Sequence, residues 1–147
     1  MNYKKFDINL HTRYDELARE TIKNKINCTD NPDKYGYDLI IEHDYFKGIE
    51  VEIINVWKDG NKPPFKDTDR GNTRLFERKL NRYDKSIIFI QLSCNLEKCC
   101  IFTKTMVNKE EWFITKSFDR SFIVKNPMIL PTHMLDNHII DFFRYVH

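Results

Sequence analysis

Residues 37–57, YDLIIEHDYFKGIEVEIINVW, read as two β-strands joined by a short turn. The first strand, 38–42, starts on Asp38 and ends on Glu42; the second, 49–54, carries Glu50 and Glu52 among Ile49, Val51, Ile53 and Ile54. β-Branched residues suit a pleated, half-buried surface, but carboxylates there need a partner, because an unpaired buried charge is costly. A base, a set of backbone N–H groups or a metal ion can serve. Side chains alternate across a strand, so Asp38, Ile40 and Glu42 share one face, and Glu50, Glu52 and Ile54 share one face of the next. A turn centred near Phe46 brings the even-numbered faces together, with Asp38 beside Glu52 and Ile54, and Glu50 nearer Glu42. A one-residue slip would put the acids on opposite faces. In the favourable register Asp38 and Glu52 either raise one pKa or hold a hard cation, Mg2+ or Mn2+, through oxygen ligands. The same alternation also suits a hairpin whose solvent face simply carries acids.

Working outward, residues 12–26 predict an amphipathic helix capped by Thr12, with an apolar stripe of Tyr14, Leu17, Thr21 and Ile22. Residues 28–36, CTDNPDKYG, are rich in turn formers and end it. Residues 58–72, KDGNKPPFKDTDRGN, form a polar loop, about as long as ordered loops become. Residues 73–83 predict a second helix whose Leu75, Phe76, Leu80 and Tyr83 pack inward. The run 86–92, SIIFIQL, suits a strand buried on both faces, where Gln91 needs a polar partner. Residues 98–105 make a hairpin with it. Residues 107–115 read as a short helix, and the remainder is apolar but weakly periodic, with DFFRYV a last strand or helical turn. The expected fold is α+β in a single domain, 1–147: a central mixed sheet of four to five strands flanked by helices.

The chain has 147 residues with a net charge of only +2, so any nucleic-acid contact must come from a local patch. Eleven Phe and seven Tyr predict an aromatic core. No run approaches a membrane span, the first residues lack the apolar stretch of a secretory signal, and the expected setting is cytoplasmic. Cys28, Cys94, Cys99 and Cys100 form no CxxC, and neither a disulfide framework nor a zinc knuckle is readable. Arg74, Arg78 and Arg82 recur every four residues with Lys79 beside them, so on a helix they form one stripe able to track phosphates. A solvated helix face would look the same. Lys58, Lys62, Lys66 and Arg70 add basic groups in the loop before it.

The order α-β-β-loop-α-β-β, with Asp38 near the start of one strand and Glu50 and Glu52 in the next, resembles the PD-(D/E)XK nuclease superfamily. The stretches GIEVEIINVWKDG and RLFERKLNRY are similar to small phage-type nuclease-like proteins within it, the resemblance covering 35–92. It implies a restriction-endonuclease-like fold, Mg2+ or Mn2+ held by an Asp and a Glu, and a lysine two residues later that orients or activates the attacking water. Glu52 occupies that lysine slot if Glu50 is the motif acid; if Glu52 is, the slot holds Ile54 and Lys58 would have to reach in. The resemblance also implies a metal-ligand role for an acid of the first helix, Glu20 or Glu16. The implied activity is metal-dependent cleavage of DNA, with Asp38, Glu50, Glu52 and Lys58 catalytic and Arg74, Arg78, Lys79 and Arg82 on the nucleic acid. The alternative is a catalytically silent protein of the same fold that binds nucleic acid or a partner protein. Relatives that act as dimers make a homodimer compatible with the apolar C-terminal third.

Overall fold

The computed structural model of the protein describes residues 8–54, 57, 73–114 and 119–145. Among them it is a mixed α/β structure with a six-stranded mixed sheet, a smaller three-stranded sheet and three helices. The helices are α1 (Ile8–Lys23), α2 (Glu77–Arg82) and α3 (Asn137–Phe143). The strands are β1 (Cys28–Asp30), β2 (Leu39–Ile41), β3 (Gly48–Ile54), β4 (Arg74–Phe76), β5 (Ile87–Ser93), β6 (Lys98–Thr103), β7 (Val107–Ile114), β8 (Arg120–Val124) and β9 (Met128–Pro131). The large sheet runs β1-β2-β3-β5-β6-β9, with β3 and β5 parallel and every other pair antiparallel. Parallel neighbours need a crossover. Here the crossover carries β4 and α2, and β4 leaves the large sheet to join β8 and β7 in the small one.

β5 is the spine. All seven of its residues are buried, as the unbroken run of Ile and Phe predicts for a central strand covered on both faces. Each fully buried Ile or Leu there is worth about 1.5–3 kcal/mol of transfer free energy. Gln91 is the polar exception, and its Nε2 donates to the backbone oxygen of Arg74 at 3.0 Å. Its partner is therefore a strand carbonyl, not the carboxylates.

Helix α1 packs on β3 and buries Ala18 and Ile22, while Leu17 is exposed. The buried stripe is thus turned from the expected one, and Thr12 lies inside the helix instead of capping it. Residues 28–30, expected in a turn, pair with β2 as an edge strand. The expected helix 73–83 is half strand: Arg74, Leu75 and Phe76 pair with Ile123, Phe122 and Ser121, and only Glu77–Arg82 is helical. The expected helix 107–115 is β7, whose Trp112, Phe113 and Ile114 pair with β8 beyond a register shift that follows Asn108. In both cases pairing with β8, distant in sequence from β4 and next in sequence to β7, overrides local periodicity, and the aromatic and β-branched residues suit the pleat. The C-terminal apolar run resolves as α3, capped by Asp136, whose carboxylate accepts from Ile139 N at 3.1 Å.

Candidate functional site: a carboxylate pair facing a helix lysine

The β2–β3 hairpin turns at 42–47, where the His43 ring does the work of a turn cap. Its Nδ1 accepts from Tyr45 N (3.0 Å) and Phe46 N (3.2 Å). This centres the hairpin on Asp44, not Phe46, and pairs Leu39 with Ile49 and Ile40 with Gly48. The even-numbered faces do meet, but moving the centre by two residues moves the position opposite Asp38 by four, from Ile54 to Glu50. Asp38 N donates to Ile49 O at 3.1 Å, and Asp38 Oδ2 accepts from Val51 N at 2.7 Å. Asp38 therefore faces Glu50, and its expected partner Glu52 lies one position further along the same face.

The Glu50 side chain is only 11 % exposed. Burial, then the hydrogen bond and charge of Asp38, push its carboxyl up to about 8, opposed by Lys79 and by the Tyr83 hydroxyl. Two carboxyls in contact cannot both ionise cheaply, so the pair retains a proton at neutral pH. The Tyr83 hydroxyl is hydrogen-bonded to Glu50, and its own pKa is raised, first by burial and then by that bond. Lys79 Nζ lies 4.0 Å from Glu50 Oε2 and 3.6 Å from Glu52 Oε2. Lys79 and Tyr83 are four apart at the end of α2, which aims both at one patch of the sheet. Glu52 is one-third exposed and sits beside Gln91 of β5. A cleft of about 380 Å³ opens on Asp38 from the side of α1, between Asp15, Arg19 and the 31–37 segment.

The structure thus brings together Asp38, Glu50, Glu52 and Lys79, and adds Tyr83. Lys79 leaves the expected phosphate stripe for the carboxylates. The stripe itself is broken, because Arg74 belongs to β4 and its guanidinium lies 4.4 Å from the Phe113 ring centre. Arg78 and Arg82 remain on α2, exposed, over the rings of Phe76 (5.2 Å) and Tyr83 (5.5 Å). Glu20 is directed elsewhere: it is mostly exposed and paired with Lys23 at 2.8 Å. Lys58 and the other basic groups of 58–72 lie outside the described residues. Sequence alone marked Lys79 as basic and Tyr83 as core-facing, but no local signal joins them to the hairpin acids.

Among the described residues no three His, Cys, Asp or Glu side chains form a ready metal cluster. No family model matches the chain, and no curated protein or solved structure matches it either.

Proposed function

We propose that the protein is a metal-dependent phosphodiesterase acting on DNA, of the PD-(D/E)XK type with a restriction-endonuclease-like core. The observation that carries this reading is the pair Asp38–Glu50, face to face across the hairpin with the Lys79 ammonium alongside. The element order supports it: α1, the β2–β3 hairpin, a long connection, α2, then the β5–β6 hairpin follow the α-β-β-loop-α-β-β order. The edge strands β1 and β9 and the small sheet are additions to it.

The donor set fits Mg2+ or Mn2+. Mg2+ is commonly held by one or two carboxylates and completed by water and substrate phosphate, so two acids suffice where a three-residue protein cage is absent. Asp38 and Glu50 would hold the cation, which supplies Lewis-acid polarisation of the phosphoryl group and a more acidic water. The hydrogen bond from Val51 N fixes Asp38, and the Tyr83 hydroxyl fixes Glu50. With Glu50 opposite Asp38, Glu52 falls in the lysine slot of the motif, and Lys79 brings the missing cation from α2. Glu52, at the open side of the group, accepts a proton from the attacking water. Lys79, 3.6 Å from Glu52 Oε2, orients that water and offsets the charge developing on the phosphoryl oxygens.

The test is cleavage of supercoiled, linear, branched and single-stranded DNA by the purified protein with Mg2+, Mn2+ or EDTA. Metal-dependent nicking that falls about 10²–10⁴-fold in Lys79→Met and is lost in Glu50→Gln is the expected result. Absence of cleavage on every substrate, together with no Mn2+ binding by calorimetry, would overturn the reading in favour of a silent binding protein.

A further inference from the structure

A groove of about 780 Å³ runs beside α2, and four lysines from four separate segments line it. Lys85 comes from the turn after α2, Lys104 from the short 3-10 turn after β6, Lys109 from the bulged part of β7, and Lys125 from the turn before β9. The two acids of the lining do not neutralise them. Asp84 is occupied by Ser86 and by Lys47 at 3.2 Å, and Glu110 is exposed. Among the described residues none of the four lysines is paired with an acid. Lys104 Nζ instead donates to the backbone oxygen of Tyr83 at 3.1 Å.

Tyr83 joins this groove to the carboxylates. Its hydroxyl bonds Glu50, its carbonyl bonds Lys104, and Arg82 lies over its ring at 5.5 Å. We infer that the lysine groove is the track along which a nucleic-acid phosphate backbone passes the carboxylate site. This rests on the reading of the protein as one that acts on nucleic acid, and it places the backbone on lysines outside the arginine stripe. A polyanion fits better than a small anion. Lysines are mobile point charges, and Lys85, Lys109 and Lys125 are exposed, so they do not converge as fixed donors on one phosphate. Successive phosphates along a strand match separated ammonium groups.

The experiment is binding of a fluorescent duplex and a single strand in EDTA, followed by anisotropy over a series of salt concentrations. Compared are wild type and the triple variant Lys85→Gln/Lys109→Gln/Lys125→Gln, each checked by circular dichroism. Lys104 is left in place because it braces Tyr83. The triple variant should bind more weakly, and the slope of log K against log salt should fall by about 0.9 per lysine engaged on duplex, or about 0.7 on a single strand. An unchanged slope in the triple variant, or no binding by wild type in EDTA, overturns the track, as does equal competition by polyglutamate. Salt-dependent binding lost in the triple variant but without cleavage in Mn2+ would sink the catalytic reading and leave the track standing. Cleavage with an unchanged slope in the triple variant would do the reverse.

Discussion

Glu50 keeps its proton through neutral pH because it is buried against Asp38, and that proton links stability to pH. Its folded pKa, about 8, lies above the ordinary 4.5. The unfolded chain therefore ionises first, and the stabilising contribution is full below 4.5 and lost as pH rises through 8. Denaturant melts of wild type should lose stability across that window, with a limiting slope of about 1.4 kcal/mol per pH unit. Glu50→Gln should remove the slope, and an identical slope in the variant would show that another group carries it. Gly48 makes a different point at the same scale. A Cβ there would stand 2.2 Å from two carbons of the Tyr37 ring, so the absent side chain is what lets that ring lie against β3. Gly48→Ala should cost about 1–3 kcal/mol, an overpacking penalty. Tyr37→Ala in the Gly48→Ala background should recover part of that cost; strict additivity of the two changes would argue that they do not touch.

α3 has seven residues, too few to hold a helix in water by themselves, so its stability is tertiary. Ile140 and Phe143 are buried, and Asp141 accepts from His43 Nε2 at 2.7 Å. Because His43 Nδ1 accepts two turn N–H groups, Nε2 carries the proton and donates. Arg144 adds an ion pair with Asp44. One imidazole therefore ties the turn that sets the hairpin register to the last helix. His43→Ala strands the N–H groups of Tyr45 and Phe46 and releases Asp141, for an expected loss of about 1–3 kcal/mol. Amide exchange should show protection falling first over 137–143 and the 42–47 turn. Uniform loss across the large sheet instead would mean that α3 and the turn are not tied through this ring.

At the scale of the whole molecule, the proposed metal binding would be linked to folding. A cation that binds the folded state alone stabilises it by about 2.7 kcal/mol at a hundred times its Kd. Mn2+ should raise the melting temperature of wild type and leave Asp38→Asn and Glu50→Gln unmoved. Without metal both variants should melt at or above wild type, since each relieves the acid–acid contact. Metal-independent destabilisation of both would instead mark the acids as structural partners of Lys79 and Tyr83. The molecule also shows where local pattern governs and where it does not. The buried run of β5, the hairpin and the sharing of one face by Asp38, Glu50 and Glu52 could be read from residues 37–57 and 86–92, because two-residue alternation and continuous apolarity are local properties of a strand. Alternation sets which faces meet but not how far one strand is slid along the other. That offset came from the His43 turn, and it replaced the pair Asp38–Glu52 by Asp38–Glu50. Residues 74–76 and 107–114 have sequences that either a helix or a strand can use, and pairing with β8 decided for strands, from far along the chain for 74–76 and from the next strand in sequence for 107–114. Lys79 reaches the carboxylates for the same reason. Only the parallel crossover between β3 and β5 lays α2 over the acid face, and no spacing within 37–57 encodes a contact made by a residue outside it.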